Sequence, residues 1–190
     1  YKCYAEAEAG KNIEKSLKAI EERYNEIIKG LGLKLSLKEQ FETIKKNFEA
    51  LAGKDYAASR GEYLNGIIMA NYLGYEFIDA ATVICFDKDG EFDSEKTNAV
   101  CEAKFANIER AVVPGFYGAM PNGKVKTFSR GGSDVTGSIV ARALKADMYE
   151  NWTDVSGFLA ADPRIVSNAK PINVITYKEL RELSYMGASV

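Results

Sequence analysis

Histidine is absent from all 190 residues. Triads built on imidazole, His-ligated zinc and His general bases are therefore excluded within this chain. Cysteine is scarce. Cys3, Cys85 and Cys101 lie far apart, with no pair at metal-ligand spacing. A structural zinc site is excluded, and an odd, scattered set of thiols argues for free cysteines in a reducing compartment rather than a disulfide framework. No apolar run approaches the ~20 residues that a membrane span needs. No basic start leads into an apolar centre and a small-residue cleavage site, so no secretory leader is expected within it. A basic surplus is missing too: 25 Lys and Arg against 27 Asp and Glu leave a net charge of −2, without the electrostatic footprint of a nucleic-acid binder. No Gly-x-Gly-x-x-Gly follows an early strand, which disfavours a dinucleotide oxidoreductase.

Carboxylates, Lys and Arg, hydroxyls and backbone amides remain. That set suits phosphoryl transfer, where positioning and electrostatics carry most of the catalysis. With 46% hydrophobic and 27% charged residues the balance is that of a soluble globular protein, and 190 residues suffice for one domain with a buried core but are marginal for two. The chain begins Tyr-Lys-Cys and ends Tyr-Met-Gly-Ala-Ser-Val, so a fragment of a longer protein is expected.

Apolar residues at Ile13, Leu17, Ile20, Tyr24, Ile27 and Ile28 mark one face of a helix over 11–29, which Gly30 and Gly32 stop. Phe41, Ile44, Phe48 and Leu51 mark a second over 38–51, broken at Gly53. Beyond Ala57 the pattern changes. A helix is expected over 62–73, then short strands at 76–78, 83–86 and 111–113, with a helix over 95–108 between the last two. Residues 123–128 read as a hairpin arm and 134–144 as a helix. Met148–Trp152 reads as a strand, and Thr176 to Glu179 as a capping box before a helix through Met186. The expected architecture is α/β: an αβα sandwich around an open, largely parallel sheet, with a helical lobe over 1–55 and the α/β part over 56–190, all within one domain.

Three constellations carry chemistry. In Thr127-Phe128-Ser129-Arg130-Gly131-Gly132-Ser133-Asp134 a strand enters a Gly-Gly turn and a helix opens. Gly131 and Gly132 let backbone amides crowd an anion, the helix start attracts it, and Arg130 can clamp a carboxylate or phosphate. Equally, Ser133 or Asp134 can simply cap the helix. In Trp152-Thr153-Asp154-Val155-Ser156-Gly157, followed by Asp162-Pro163-Arg164, a strand delivers polar residues to a sheet edge where α/β folds bind ligands, and Arg164 can reach a phosphate. A polar turn with a loop salt bridge explains the same residues. In Ser59-Arg60-Gly61-Glu62 the carboxylate of Glu62 opens a helix, where the dipole favours it. The loop Pro114-Gly115-Phe116-Tyr117-Gly118 follows a buried strand, with Phe116 or Tyr117 in packing roles.

Together these elements, spanning about Ala57 to Val190, resemble the aspartokinases. Ser129 to Asp134 resembles their glycine-rich substrate loop. Trp152 to Val155, Gly157 and Asp162-Pro163-Arg164 resemble their nucleotide-binding segment, Ser59 to Glu62 their Ser-x-Gly-Glu element, and Pro114-Gly115-Phe116 their Gly-Phe loop. The resemblance implies the amino acid kinase fold and transfer of the γ-phosphoryl of Mg-ATP to the β-carboxylate of L-aspartate. It implies Arg130 on the substrate α-carboxylate, Glu62 on its ammonium group, and Gly131, Gly132 and Ser133 around the substrate. Asp134 would then organise the reaction centre, while Thr153, Asp154, Gly157 and Arg164 would hold ATP. It further implies Mg²⁺, no protein-held metal site, a cytoplasmic enzyme, and a homodimer when full length. The family's Lys-Phe-Gly-Gly element and its ACT domains are not found. Ser189 stands where a lysine is common, Leu159 where Tyr is common, and Phe128-Ser129 where Leu-Gly is common. The competing expectations are a kinase of glutamate, acetylglutamate or a nucleoside monophosphate, and a non-catalytic ligand-binding or assembly module. Arg130 with Glu62 favours an α-amino acid as substrate.

Overall fold

The computed structural model describes residues 1–129, 131–152, 157–162 and 164–185. They fall into two units, one within 1–149 and one within 150–190.

The first unit opens with four helices: α1 (Lys2–Glu8), α2 (Glu14–Gly30), α3 (Lys38–Glu49) and α4 (Lys54–Leu73). The periodic faces expected for α2 and α3 turn inward in the main, but Ile20 stays exposed and Leu51 lies exposed beyond the end of α3. Leu17 and Ile28 from α2 and Phe41, Ile44 and Phe48 from α3 are buried with Tyr4 of α1. Burial of such side chains contributes about 1.5–3 kcal/mol each. The rings of Tyr4 and Phe48 meet edge to face at 5.3 Å, a geometry the ring quadrupoles favour. Ala57, Leu64 and Ile68 of α4 belong to the same core. Helix α4 thus shares the core of the helices before it.

Helix α4 corrects the expected start at Glu62. It begins at Lys54, after Gly53 breaks the chain at φ +108°, so Glu62 lies in mid-helix and not at a helix end. Its buried residues include Ser59, Arg60, Leu64, Gly66 and Ile68, spread around more than one face. A helix packed on several sides has no single apolar stripe, so periodicity does not reveal where it starts. Gly74 ends it in the left-handed region, with the Tyr75 amide donating to the Ala70 carbonyl at 2.9 Å.

Strand β1 (Glu76–Phe77) pairs in parallel with β2 (Ala111–Val112). Strand β3 (Tyr117–Ala119) pairs antiparallel with β4 (Val125–Thr127), Tyr117 opposite Thr127. Helix α5 (Ser94–Phe105) separates β1 from β2, and α6 (Gly132–Ala143) follows β4. These are the alternating elements expected of an α/β fold. The expected strand over 83–86 is instead a 3-10 turn at Ala80–Thr82 followed by single-residue pairings, Cys85 with Ala119 in parallel and Phe86 with Phe92 antiparallel. The Cys85 amide donates to Thr97 Oγ1 and its carbonyl accepts from the Asp93 amide, so these groups do not extend a ladder. Val83, Ile84, Cys101 and Tyr117, all at 0% exposure, form the second core.

In the second unit, α7 (Tyr177–Tyr185) carries the expected capping box: Thr176 N and Oγ1 both donate to Glu179 Oε2, and the Glu179 amide donates back to Thr176 Oγ1. Leu159 pairs with Pro171. The strand expected over Met148–Trp152 is not formed. Met148 and Trp152 are 74% and 88% exposed, so the apolar residues that suggested it reach no core.

Candidate active site

Helix α4, the β2 end and helix α6 enclose a cleft of about 400 Å³ in the first unit. Glu62, Asn65, Gly66 and Met69 line it from α4, Val112 to Gly115 from β2 and the loop after it, and Ser133, Thr136, Gly137 and Val140 from α6. Glu62 and Ser133, 71 positions apart, thus face one space. Asp134 is exposed in the first turn of α6. Arg130, Thr153 and Asp154 lie outside the described residues.

Close approach of backbones builds the cleft. A Cβ on Gly115 would stand 2.9 Å from the Ser133 Cα, and one on Gly132 would stand 2.6 Å from the Phe116 Cβ. The loop over 114–116 therefore lies directly against the start of α6. Thr136 fastens it: its hydroxyl accepts from the Phe116 amide at 3.0 Å and donates to the Gly132 carbonyl at 2.7 Å. This clasp holds Phe116 at φ +62°, a conformation rare for a residue with a side chain. Thr136→Val leaves the Phe116 amide without its partner and is expected to cost about 1–3 kcal/mol, which Thr136→Ser should largely restore. Thermal unfolding of the two variants checks this.

The start of α6 differs from the capping expectation. Gly131, at φ +60°, occupies the cap position, and neither Ser133 nor Asp134 caps the helix; no side-chain cap forms among the described residues. The first amides of α6 therefore remain available to an anion, reinforced by the helix dipole. Asp55 on α4 steadies the strand before this turn: its carboxylate accepts from Thr127 Oγ1 at 2.9 Å.

Around Glu62 the helical lobe is tied in. The Tyr24 hydroxyl donates to the Gly61 carbonyl at 3.1 Å. Burial pushes the Tyr24 phenol above its ordinary pKa, and the nearby negative charge of Glu62 pushes it further. The Glu62 carboxylate is exposed and suited to receive a cationic group. The Tyr117 hydroxyl donates to Asp79 Oδ1 at 2.7 Å. Burial, then the Asp79 charge, raise its pKa far above the usual phenol value, so Tyr117 stays protonated and structural. Phe116 and Tyr117 are packing residues, as expected.

In the second unit Gly157 has φ +107°. Arg164 grips Asp162 by two donors, Nε to Oδ1 at 3.0 Å and Nη2 to Oδ2 at 2.7 Å. The hydrogen bond from Arg164, with its backbone amide, holds the Asp162 carboxyl below the usual range. The loop salt bridge is thus present, and a phosphate at Arg164 would share the guanidinium with Asp162. Another cleft, of about 410 Å³ between α5 and α6, is lined by Phe105, Ile108 and Leu144 and contains none of the expected site residues. Among the described residues no three Cys, Asp or Glu side chains are grouped to hold a metal ion. Sequence reasoning missed Thr136 and Gly66. A hydroxyl four residues after Gly132, one helical turn on, was the available signal for the first.

The α/β fold and a cleft between a glycine-bordered loop and an uncapped helix define the class. The chain belongs to the amino acid kinase family, which it matches over residues 5–190. Among its relatives, it is similar to aspartokinase 3 of Bacillus subtilis, 41% identical over 144 residues, covering 72% of this chain and 32% of that protein. Aspartokinase 1 of the same organism is 35% identical over 145 residues, 72% of this chain and 36% of that one. Among solved structures, Clostridium acetobutylicum aspartate kinase superposes with a TM-score of 0.90 at 56% identity, over 98% of this chain and 43% of that one. Escherichia coli aspartokinase III, crystallised with aspartate and ADP, gives 0.73 at 27% identity, over 90% of this chain and 43% of that one. The chain spans about a third of the length of these curated relatives.

Proposed function

We propose that the chain is the catalytic part of an aspartokinase, which transfers the γ-phosphoryl of Mg-ATP to the β-carboxylate of L-aspartate to form 4-phospho-L-aspartate. This is the first step toward lysine, threonine and methionine. The observation that carries the reading is the single cleft holding Glu62 and Ser133 beside the uncapped start of α6. The named relatives and solved neighbours support it.

A zwitterionic substrate fits this cleft. Glu62 receives the ammonium group, and Arg130, two residues before Gly132, takes the α-carboxylate as a bidentate clamp. The amides after Gly131, with the Ser133 hydroxyl, hold the β-carboxylate against the developing negative charge. A carboxylate oxygen attacks the γ-phosphorus while the bond to the bridging oxygen breaks and ADP leaves. The nucleophile is already ionised, so no proton moves and no histidine is required. The main obstacle is repulsion between two anions, which fixed amides, arginines and alignment of the reactants overcome.

Thr153, Asp154, Gly157 and Arg164 are assigned to the nucleotide. Mg²⁺ would arrive with ATP, held mostly by phosphate oxygens and water with one or two carboxylates, and would neutralise phosphoryl charge. Asp134, exposed in the first turn of α6, is assigned to organising the reaction centre. The enzyme is assigned to the cytoplasm, in keeping with three free cysteines, and to a homodimer when full length.

The substrate assignment is tested by ADP release in the intact enzyme with L-aspartate, L-glutamate or succinate as acceptor. L-Aspartate is expected to exceed both in kcat/KM by at least about tenfold, since succinate lacks the cation that Glu62 binds, worth about 1.5–3 kcal/mol. Equal use of succinate would remove Glu62 from substrate recognition. Preference for L-glutamate would identify a different kinase of the same family.

A further inference from the structure

Four polar side chains line the cleft between α4 and α6 among the described residues: Glu62 and Asn65 from α4, Ser133 and Thr136 from α6. Thr136 is committed to the fold. It is only 3% exposed, its hydroxyl donates to the Gly132 carbonyl at 2.7 Å, and its oxygen accepts from the Phe116 amide at 3.0 Å. Glu62 and Ser133 are assigned to the acceptor. Asn65 is the fourth, and like Glu62 it is exposed. Residues three apart on a helix share a face, with their Cβ atoms about 5–6 Å apart. Both side chains border the same space, so a group held by the Glu62 carboxylate lies within reach of the Asn65 amide. The loop after β2 packs against α4 beside it: a Cβ on Gly66, the next residue, would stand 3.4 Å from the Pro114 Cβ. The lining from β2 and this loop, Val112 to Pro114, offers no side-chain hydrogen bond. A polar ligand group beside that lining finds its side-chain partners on α4 or α6.

We propose that Asn65 is a second acceptor-binding residue, which recognises the α-ammonium group of the amino acid together with Glu62; the inference rests on the kinase reading of the cleft. An ammonium group carries three N–H donors. Glu62 supplies the opposite charge and accepts from part of the set, and Asn65 Oδ1 accepts from another. A carboxylate alone attracts any cation, whereas a second acceptor at a fixed place adds direction. The amide is also neutral. It adds no repulsion toward the two carboxylates of L-aspartate, as a second acid at this position would. Asn65 thus separates an α-amino acid from a dicarboxylate of the same length, such as succinate, which has no ammonium group to offer.

Initial rates of the intact enzyme with L-aspartate and with succinate as acceptor test this assignment. Asn65→Leu nearly keeps the size of the side chain and removes the hydrogen-bond acceptor. It is expected to raise the aspartate KM about tenfold, the usual effect of losing one hydrogen bond to a charged group. The ATP KM and the kcat/KM for succinate should stay unchanged. Asn65→Ala should act in the same direction, which separates the lost hydrogen bond from any steric effect of leucine. A merely structural Asn65 would lower Tm and leave the ratio of aspartate to succinate use as it is. An unchanged aspartate KM in both variants overturns the inference. So does an equal loss with both acceptors, which would put the amide on a carboxylate instead. Glu62→Gln distinguishes this failure from that of the kinase reading. If Glu62→Gln raises the aspartate KM and the Asn65 variants do not, the kinase reading stands and the role of Asn65 falls. If the wild-type enzyme phosphorylates no amino acid, both fall.

Discussion

Asp134→Asn in the intact enzyme is expected to lower kcat by about 10²–10³, the usual effect of removing one group that organises transition-state charge. The fold should persist. Asp134 is exposed and does not cap α6, so the variant removes only a charge in the first turn of the helix. Losing that favourable contact with the helix dipole costs about 0.3–1 kcal/mol, a shift in Tm of a few degrees at most. The contrast decides between two roles for one carboxylate. A helix-stabilising acid would lose stability and keep turnover; a reaction-centre acid loses turnover and keeps stability. Steady-state kinetics beside thermal unfolding separates them, and near-wild-type kcat would reduce Asp134 to a helix-dipole contact.

Gly132→Ala is the second change with a large expected effect, and it works through packing. The new Cβ would meet the Phe116 Cβ at 2.6 Å, the Phe116 Cα at 2.9 Å and the Phe128 Cβ at 3.0 Å. Two of these neighbours belong to a loop whose backbone is already held at an unfavourable φ by the Thr136 hydroxyl. The loop must move away from α6, which opens the cleft where Gly115 meets Ser133. Overpacking of this kind costs about 1–3 kcal/mol of stability. The aspartate KM should rise with it, because the residues displaced are those assigned to aspartate rather than to ATP. An unchanged KM in a folded Gly132→Ala protein would mean that this junction does not shape the substrate site.

The parts that could be read in the sequence are those governed by local physics. The faces of α2 and α3 follow from a 3.6-residue period, and the Thr176–Glu179 box from reciprocal hydrogen bonding over three residues. The strands at 76–77 and 111–112 stand out as β-rich segments on either side of a helix. Where the pattern fails, tertiary packing decides. Helix α4 buries Ser59, Arg60 and Gly66 along with Leu64 and Ile68, so its true start at Lys54 leaves no amphipathic trace. The segment over 83–86 is apolar enough for a strand, but the Thr97 hydroxyl and the Asp93 amide take the Cys85 backbone groups.

The candidate site divides in the same way. Glu62, Gly131, Gly132, Ser133 and Asp134 were legible as residue types in suggestive order. That Glu62 and Ser133 share a cleft depends on α4 packing against the loop after β2, where a Cβ on Gly66 would meet the Pro114 Cβ at 3.4 Å. That contact joins residues 48 positions apart, and no spacing rule points to it. The reading of Glu62 as a helix-start acid failed for the same reason: its neighbours are buried by partners distant in sequence.

The central claim is that this chain supplies the aspartate site of an acyl-phosphate-forming kinase. Trapping with hydroxylamine tests it most directly, because hydroxylamine converts an acyl phosphate into a stable hydroxamate. The intact enzyme, incubated with Mg-ATP and L-aspartate, should yield aspartyl hydroxamate, and its Glu62→Gln variant should require a much higher aspartate concentration to do so. No hydroxamate from a folded enzyme that binds ATP would contradict the claim and make the cleft a site for another acceptor.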